Sequence, residues 1–484
     1  MPDLCVADDE FGTDGAESTD STTGTHDTST GTSDTTEGDT SSENTGEKDT
    51  GEEDTGEEDT GTPSVCGDAE VQDGEECDDG NAVDGDGCDS DCTATPVTAL
   101  SLGNSHSCVL IDGGRVRCWG LNDSGQLGFG HTNIIGDDEL PSDVGDLLLP
   151  SLPAAISLGG NHTCAVFGDG GLGCWGKNVS GQLGNGGTDN YGDNEDLANL
   201  EGLDFSSLMD VQLGSGYTCA LLEDGSVTCW GLNNFGQLGY GNTSDLASPG
   251  GSLSLGGKAI KLAVGIGHTC ALLENHDVRC WGSNNVGQLG LGHTNNIGDD
   301  ELPVDADPLS LGLPPDAEVV DLKLGLYHSC ALLSNGSVMC WGYNFYGQLG
   351  LNHTNSIGDN ELPTTQSPVS LPGAVEQLAL GANHTCALLT GGDVMCWGDS
   401  YAGQLGLGNT ETIGDNEFPM DGGFVELGGI PLSIDAGTHH TCVLLENYDV
   451  RCWGNNTSGQ LGLGHTDRIG DDELPVDVEP VSVF

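Results

Sequence analysis

Cysteine is the reactive side chain with the most regular spacing in this 484-residue sequence. Fourteen of the 19 cysteines form pairs whose members are ten positions apart, and Trp-Gly follows the second member of each pair. Such pairs can form disulfides, which persist in oxidising compartments and are rare in the cytosol. Free buried thiols would not explain a spacing that recurs seven times. The pairs are Cys108 with Cys118, Cys164 with Cys174, Cys219 with Cys229, Cys270 with Cys280, Cys330 with Cys340, Cys386 with Cys396, and Cys442 with Cys452.

Histidine recurs once per repeat, directly before Ser-Cys or Thr-Cys. The positions are His106, His162, His268, His328, His384 and His440, with Tyr217 in the third repeat. A ring of imidazoles would suggest a metal site. However, one histidine per repeat places neighbours too far apart for zinc, whose bonds to nitrogen are about 2.0–2.1 Å long. We therefore expect each imidazole to be structural and hydrogen-bonded within its own repeat.

Carboxylates recur in a loop of the form Ile-Gly-Asp-[Asp/Asn]-Glu-[Leu/Phe]-Pro, at residues 135–141, 297–303, 357–363, 413–419 and 469–475. Residues 191–195 are a degraded copy, and the third repeat has none. Hard oxygen ligands in this density suit calcium, the one cofactor the sequence allows for. The candidate ligands are Asp299, Asp300, Glu301, Asp471, Asp472 and Glu473. The same acids could instead cap local backbone donors or form an acidic rim for a basic partner.

Aromatic residues vary near a recurring Gly-Gln-Leu-Gly motif. They are Phe235, Tyr343, Phe345, Tyr346 and Tyr401. Aromatics at loop tips are typical of protein-binding hot spots, although they could also pack between repeats. No nucleophile motif, zinc-protease motif or phosphate loop is present, so we expect no enzyme.

A β-hairpin must position each cysteine pair. In the third repeat, residues 218–222 and 227–230 are strand-like, and Glu223-Asp224-Gly225 between them forms a three-residue loop with Gly in the left-handed position. Cys219 and Cys229 are equidistant from the loop, so they should face each other. Opposed Cα atoms lie roughly 4.5–5.5 Å apart, within disulfide range.

Two further strand-like segments accompany each hairpin, such as 375–380 and 368–371. Seven units of four short strands predict an all-β protein, a seven-bladed β-propeller over residues 97–484. The chain begins its repeats at 97–102 and ends at 480–484, which matches residues 368–370. We therefore expect the last strand to complete the first blade and close the ring.

The repeat resembles the regulator of chromosome condensation family of seven-bladed propellers. The resemblance rests on Gly325 with His328-Ser-Cys-Ala-Leu-Leu, on Gly336-Ser-Val-Met-Cys-Trp-Gly-Tyr-Asn344, and on Gly347-Gln-Leu-Gly350. The resemblance implies the propeller fold. It is a weaker guide to function, because propellers support many unrelated activities.

The N-terminal part divides into two segments. Residues 1–65 are an acidic Ser/Thr/Gly-rich tract that we expect to be a disordered linker. Residues 66–96 contain Cys66, Cys77, Cys88 and Cys92, which allow three disulfide pairings. This module resembles a short cysteine-rich repeat of secreted myxobacterial proteins, through Glu-Cys-Asp-Asp-Gly-Asn and Asp-Gly-Cys. Its Asp84, Asp86, Asp89 and Asp91 fail the EF-hand spacing but leave another calcium site open.

The net charge and the cysteine content limit the classes of partner and the location that the sequence favours. The chain has 78 acidic and 10 basic residues, which opposes binding to nucleic acid or to anionic membranes. A protein partner of basic character is favoured, and we expect a monomer. There is no apolar run long enough for a membrane span and no signal peptide at Met1. Because the cysteines indicate export, Cys5 could be the lipid-anchored first residue of a mature bacterial lipoprotein.

The sequence therefore predicts a secreted or cell-surface propeller that binds a protein. One alternative is a guanine-nucleotide exchange factor, which the family resemblance implies and which would be intracellular. A second is a calcium-binding adhesion or surface protein. A lyase or hydrolase would require His or Tyr clustered with carboxylates in one cavity.

Overall fold

The computed structural model describes residues 67, 71, 77–78, 80–81, 83, 86–205, 207–313 and 316–484. The predicted linker over residues 1–65 with Cys5, the module cysteine Cys66 and the candidate ligand Asp84 lie outside these residues.

Seven antiparallel sheets make up the described part of the chain, and each sheet is one blade of the propeller. In chain order the blades contain β1 (Val97–Leu102), β2 (His106–Ile111) and β3 (Arg115–Gly120); β4 (Pro153–Leu158), β5 (His162–Phe167), β6 (Gly171–Gly176) and β7 (Leu203–Asp204); β8 (Leu208–Leu213), β9 (Tyr217–Leu222) and β10 (Val227–Gly231); β11 (Ala259–Val264), β12 (His268–Leu273) and β13 (Val278–Gly282); β14 (Val319–Leu324), β15 (His328–Leu333) and β16 (Val338–Gly342); β17 (Val375–Leu380), β18 (His384–Leu389) and β19 (Val394–Gly398); β20 (Pro431–Ala436), β21 (His440–Leu445) and β22 (Val450–Gly454).

Helical structure in the described residues is confined to single turns. The α-helical turns are α1 (Pro141–Val144) and α2 (Pro419–Gly422), and the 3₁₀ turns are Asp112–Gly114, Leu197–Asn199, Pro363–Thr365 and Pro475–Asp477. Four of these six turns directly follow acidic loops, and in each of the four a proline begins the turn. Proline suits this position because its fixed φ is helical and the first N–H of a helix has no partner within it.

A disulfide spans the central hairpin of every blade. In the third blade, Leu222 N donates to Ser226 O, so by alternation Cys219 and Cys229 form a non-hydrogen-bonded pair, in which side chains approach most closely. Their Cα atoms are 4.1 Å apart. The other six pairs have the same register, with Cα separations of 4.0–4.1 Å.

The fourth position of each blade differs from the sequence expectation. The second blade has a regular fourth strand, β7, which pairs with β6. In the other blades an extended segment makes one or two backbone bonds to the third strand, as from Val369 N to Val338 O at 2.8 Å. In three of these segments the residue before the bonded one is proline, at Pro308, Pro368 and Pro480. Proline has no N–H and limits ladder formation.

The expected completion of the first blade by the C-terminal strand is wrong. Val481 N donates to Val450 O, so the last segment belongs to the seventh blade, and Leu147 N donates to Val116 O to complete the first. The ring nevertheless closes, because the contacts between the seventh and first blades repeat those between the other neighbours. Gln460 O, for example, accepts from Trp119 Nε1 at 3.0 Å.

One backbone carbonyl per blade carries the contact to the next blade. In each Gly-Gln-Leu-Gly motif, the Gln carbonyl accepts from a Trp indole and a Ser or Thr hydroxyl of the following blade. Gln126 O thus accepts from Trp175 Nε1 at 3.0 Å and from Thr163 Oγ1 at 2.9 Å. All seven tryptophans make this bond at 2.9–3.0 Å, and all are fully buried.

The recurring histidines bond between blades, which corrects the expectation of a bond within one blade. His162 Nε2 lies 2.9 Å from Thr218 Oγ1, and His440 Nε2 lies 3.0 Å from Ser107 Oγ across the closing interface. Tyr217 fills the same place, with its hydroxyl 3.0 Å from Thr269 Oγ1. Because each Ser or Thr hydroxyl donates its hydrogen to a Gln carbonyl, its oxygen must accept from Nε2–H. The hydrogen-bond network therefore places a hydrogen on Nε2 of each imidazole.

Burial explains why these histidines stay neutral. It lowers the pKa of His106, His162, His268, His328 and His440 to about 3, and that of His384 well below its ordinary value. Among the described residues, Nδ1 of all six has no hydrogen-bond partner. A proton there would be a buried charge without compensation.

The described part of the N-terminal module packs against the end of the propeller. Cys77 and Cys88 are joined, which removes two of the three predicted pairings of the module. A Cβ built on Gly87 would lie 3.3 Å from Phe484 Cβ. Asp89 accepts from Thr95 Oγ1, and Asp91 accepts from Thr93. These aspartates therefore cap local donors.

Removing one hairpin disulfide should lower stability without changing the fold. The double variant Cys330→Ala/Cys340→Ala frees an eleven-residue segment in the unfolded chain, and we expect a loss of about 2–3 kcal/mol in free energy of unfolding. Urea denaturation of the oxidised protein measures it. An unchanged midpoint would show that the fifth disulfide does not stabilise the native state.

The buried histidines should make the stability of the fold depend on pH. Their pKa is lower in the folded state than the ordinary 6.5, so the unfolded chain binds more protons and stability falls as pH drops from about 6.5 toward 3. His162→Tyr, which copies Tyr217, should reduce this dependence by about 1.4 kcal/mol per pH unit. Urea titrations at several pH values measure the slope. The exposed His276→Asn is the control, and an equal change in both variants would contradict the prediction.

Candidate functional site

Two sets of loops lie together at one end of the propeller. The loop before each histidine and the loop after each Trp-Gly lie at this end, since adjacent antiparallel strands begin and end there. The two loops are joined by a backbone bond, as from Tyr343 N to Tyr327 O at 2.9 Å. We call this end the Gly-Gln-Leu-Gly face, because that motif lies in the second loop.

An aromatic cluster occupies the fifth blade on this face. Phe345 and Tyr346 meet edge to face with ring centroids 5.2 Å apart, and Tyr343 contacts both rings. Tyr327 meets Tyr343 edge to face at 6.2 Å. Phe345 is 63% exposed. We call these four residues with Tyr401 the aromatic patch.

Tyr401 extends the patch onto the sixth blade, where the seventh blade contacts it. The guanidinium carbon of Arg468 is 5.7 Å from the Tyr401 ring centroid, and Arg468 Nη1 donates to Tyr401 O. His439 meets the same ring edge to face at 5.3 Å. Burial first, and then the charge of Asp399, raise the pKa of Tyr401.

The structure divides the aromatic residues selected from the sequence. It brings together Tyr343, Phe345 and Tyr346, while Phe235 lies on the third blade and makes no ring contact with other described residues. Tyr327 is not among the residues predicted from the sequence. The available signal was its position directly before the recurring histidine, because that residue pairs with the one after Trp-Gly in every blade.

Each acidic loop docks beside the Gly-Gln-Leu-Gly motif of the preceding blade. A Cβ on Gly347 would lie 2.3 Å from Asp415 N, and a Cβ on Gly403 would lie 2.6 Å from Asp471 N. Both glycines have positive φ, so no other residue would fit without strain. The acidic loops of the sixth and seventh blades therefore border Phe345 and Tyr401.

Three of the acidic loops form convergent carboxylate groups. One ligand oxygen from each of Asp299, Asp300 and Glu301 lies within 4.8 Å of the others, and the same holds for Asp471, Asp472 and Glu473. Asp137, Asp138 and Glu139 form a third group in the first blade. All three have the Asp-Asp-Glu sequence. The loops with Asn in the middle are not among the groups found in the described residues.

Burial and the close approach of the carboxylates raise the pKa of the glutamate in each group. Burial, followed by the neighbouring aspartates, raises the pKa of Glu139 and Glu473 to about 7, and the pKa of Glu301 is also raised. A proton shared between carboxylates, or a bound cation, would relieve the repulsion.

The central channel is a cavity of about 720 Å³ lined by the first strand of every blade. Lys261 Nζ and Asp321 Oδ1 form an ion pair of 2.8 Å within it, and burial raises the pKa of Asp435. Its described lining includes neither His nor Tyr. The described lining of the channel therefore does not combine His or Tyr with carboxylates, as a lyase or hydrolase site in this cavity would require.

Sequence profiles of the Regulator of chromosome condensation (RCC1) repeat match the chain at all seven blades, over residues 97–126, 154–182, 210–237, 259–288, 319–348, 375–404 and 432–460. A second profile of this repeat matches residues 113–166, 224–272, 275–332 and 335–388.

The chain belongs to the RCC1 repeat family.

Curated relatives also match the chain. The chain is 29% identical to the ultraviolet-B receptor UVR8 of Arabidopsis thaliana over 397 residues, covering 81% of this chain and 84% of the receptor. It is 32% identical to the probable E3 ubiquitin-protein ligase HERC6 of Homo sapiens over 54% of this chain, but it spans only 25% of that ligase.

The fold matches yeast RCC1 (Prp20), seen bound to Kap60, with a TM-score of 0.57 at 20% identity, covering 79% of this chain and 84% of that one. Human WBSCR16 matches with a TM-score of 0.59, at 20% identity, over 72% of this chain and 86% of that one. No helix in the described residues is long and apolar enough to span a membrane.

The difference between Asp-Asp-Glu and Asp-Asn-Glu loops predicts a titration effect. Asp472→Asn should lower the pKa of Glu473 from about 7 toward its ordinary value, because it removes a hydrogen-bonded neighbouring charge. Carboxyl-carbon NMR titration reads the pKa directly. Glu417, which already has Asn416 beside it, is the internal reference, and an unaltered Glu473 pKa would contradict the role of Asp472.

Proposed function

We propose that this RCC1-repeat propeller is a non-catalytic module that binds a protein partner through the aromatic patch. The observation that carries the proposal is the exposure of Phe345 and its aromatic neighbours, on a face where the corresponding positions of other blades are mostly small or polar. Clustered aromatics are enriched in binding hot spots, which lie near the centre of an interface. Specificity then resides in the loops that differ between blades.

Known members of the family support this function by analogy. Prp20p of Saccharomyces cerevisiae is described with binding properties toward Gsp1p and histones, and yeast RCC1 is seen bound to Kap60. At 20% identity these likenesses show the fold alone. They motivate a search for protein partners of this chain and identify none.

We propose that the module works outside the cytosol, either secreted or at the outer cell surface. Support comes from the disulfide in every blade, since such bonds are rare in reducing compartments. The acidic tract over residues 1–65 would act as a tether, with Cys5 as a lipid-anchored end. A basic partner fits the net charge of −68. Thiol titration of the native protein separates this proposal from an intracellular exchange factor, which would retain free cysteines.

A calcium-binding surface protein is a second candidate, favoured by the three Asp-Asp-Glu groups. Calcium would bind carboxylates whose mutual repulsion it relieves. Isothermal titration with calcium should then show one binding site fewer in the Asp472→Asn variant than in the wild type, since two Asp-Asp-Glu groups remain. An absence of heat in the wild type would exclude this candidate. Asp415→Asn, in a loop with no Asp-Asp-Glu group, is the matched control.

Partner capture tests the main proposal. Immobilised propeller is exposed to the secreted fraction of its source, and Phe345→Ala should reduce capture of a reproducible partner at least tenfold, a hot-spot effect of about 1.4 kcal/mol or more. Phe235→Ala removes an exposed aromatic from the third blade and serves as the control. Equal capture by wild type and both variants would contradict the assignment of the aromatic patch.

A further inference from the structure

We propose that the aromatic patch receives an arginine side chain of the partner, stacked on Phe345 and held by the acidic loop of the sixth blade. This inference rests on the proposed function and specifies its chemistry. Its basis is a comparison of two neighbouring sites within the same propeller, at Tyr401 and at Phe345.

The first site shows the interaction already made within the chain. Tyr401 stands two residues before its Gly-Gln-Leu-Gly glycine, Gly403, and Arg468 of the seventh blade lies over its ring. Arg468 directly precedes the acidic loop that docks on Gly403. The propeller thus builds a guanidinium–aromatic contact with one residue from each of two adjacent blades.

The second site has the same architecture without the cation. Phe345 stands two residues before Gly347, and the acidic loop of the sixth blade docks on Gly347 through Asp415 as the next loop docks on Gly403. The residue that directly precedes this loop is Thr412. Its side chain is short and neutral, so the place that Arg468 fills over Tyr401 is left to a partner over Phe345.

The geometry of Phe345 suits such a guest. Tyr343 lies nearly parallel to the Phe345 ring, with an interplanar angle of 13°, and Tyr346 meets it edge on at 83°. These contacts fix the ring, yet 63% of the residue remains exposed. A planar guanidinium stacks on aromatic faces and is more weakly hydrated than an ammonium group, so arginine is favoured over lysine.

Charge complementarity selects a cationic guest. Residues 316–430, which span the fifth and sixth blades, contain 13 acidic residues and one basic residue. That residue, Lys323, lines the central channel instead of the loop face. Asp415 and Glu417 lie in the loop that docks on Gly347, which is two residues from Phe345 in the chain. An extended basic segment crossing this face would therefore meet an aromatic platform with an acidic border.

Peptide binding tests the inference. The probes are two synthetic peptides of equal charge, four repeats of Arg-Gly-Gly and four repeats of Lys-Gly-Gly, titrated calorimetrically into the oxidised protein at low salt. We expect the arginine peptide to bind about fivefold more tightly, the scale of an exposed cation–π contact. Phe345→Leu should bring the ratio close to one, whereas Asp415→Asn should weaken both peptides equally.

A substitution that fills the site from within gives a second test. Thr412→Arg should place the chain's own guanidinium over Phe345, as Arg468 lies over Tyr401, and remove the preference for the arginine peptide. Thr412→Gln is the matched neutral control and should retain it. Equal affinities of the two peptides in the wild type, or a preference unaffected by both Phe345→Leu and Thr412→Arg, would overturn the inference. So would Phe345-dependent binding of a neutral oligosaccharide, such as xylohexaose, in place of the peptides.

The two proposals fail in distinguishable ways. If capture of a protein partner depends on Phe345 but wild-type protein shows no arginine preference, the binding function stands and the arginine inference is wrong. If the arginine preference depends on Phe345 but no partner is captured through it, Phe345 binds a guanidinium, but the proposed function and the assignment of that guanidinium to a protein partner are wrong.

Discussion

The main-chain carbonyl of glutamine in each Gly-Gln-Leu-Gly motif is the acceptor on which the propeller depends. It accepts from the indole N–H and from the Ser or Thr hydroxyl of the next blade, and the oxygen of that hydroxyl in turn accepts from Nε2–H of the histidine in the same blade as the glutamine. The glutamine side chain also fixes its own turn, as where Gln126 Oε1 accepts from Ser124 N. One residue therefore shapes the loop and joins the blades. A buried network of this kind is stable only when its members are satisfied, so all its residue types recur together.

The aromatic patch depends on this network for its position. Phe345 and Tyr346 immediately precede the motif that is locked beneath the sixth blade, so exposed rings stand on a rigid support. Binding by such a surface requires little ordering of loops, which is one of the main costs of association. The same docking places the acidic loop of the next blade beside each tip, so that charge and aromatic surface come from different blades.

Sequence reasoning predicted the fold and most local pairing, because these follow from rules that act within one repeat. The hairpin around Glu223-Asp224-Gly225 fixed the register of Cys219 and Cys229 through turn geometry alone. Contacts between repeats were harder to predict from the sequence. The bond from His162 to Thr218 joins residues 56 positions apart, and no spacing within a repeat distinguishes it from a bond inside the blade. Tyr327 was missed for the same reason, since its importance comes from Tyr343 in a separate loop. The fourth strand was overestimated because the proline before Val369 leaves a segment extended while removing a donor.

Ring closure without an exchanged strand makes the order of the blades physically arbitrary. The interface between the seventh and first blades uses the same carbonyl and indole contacts as the other six, and the same imidazole contact as all but the one where Tyr217 replaces histidine. No blade is therefore special as a beginning or an end. Thr95 lies near Gly87, and Gly87 contacts Phe484, which brings the start and finish of the ring together. A chain with these ends joined and a new opening cut between two other blades would contain every contact of the original. The propeller is thus a circular arrangement of blades, and a linear chain that began at any other interface of the ring would form the same contacts.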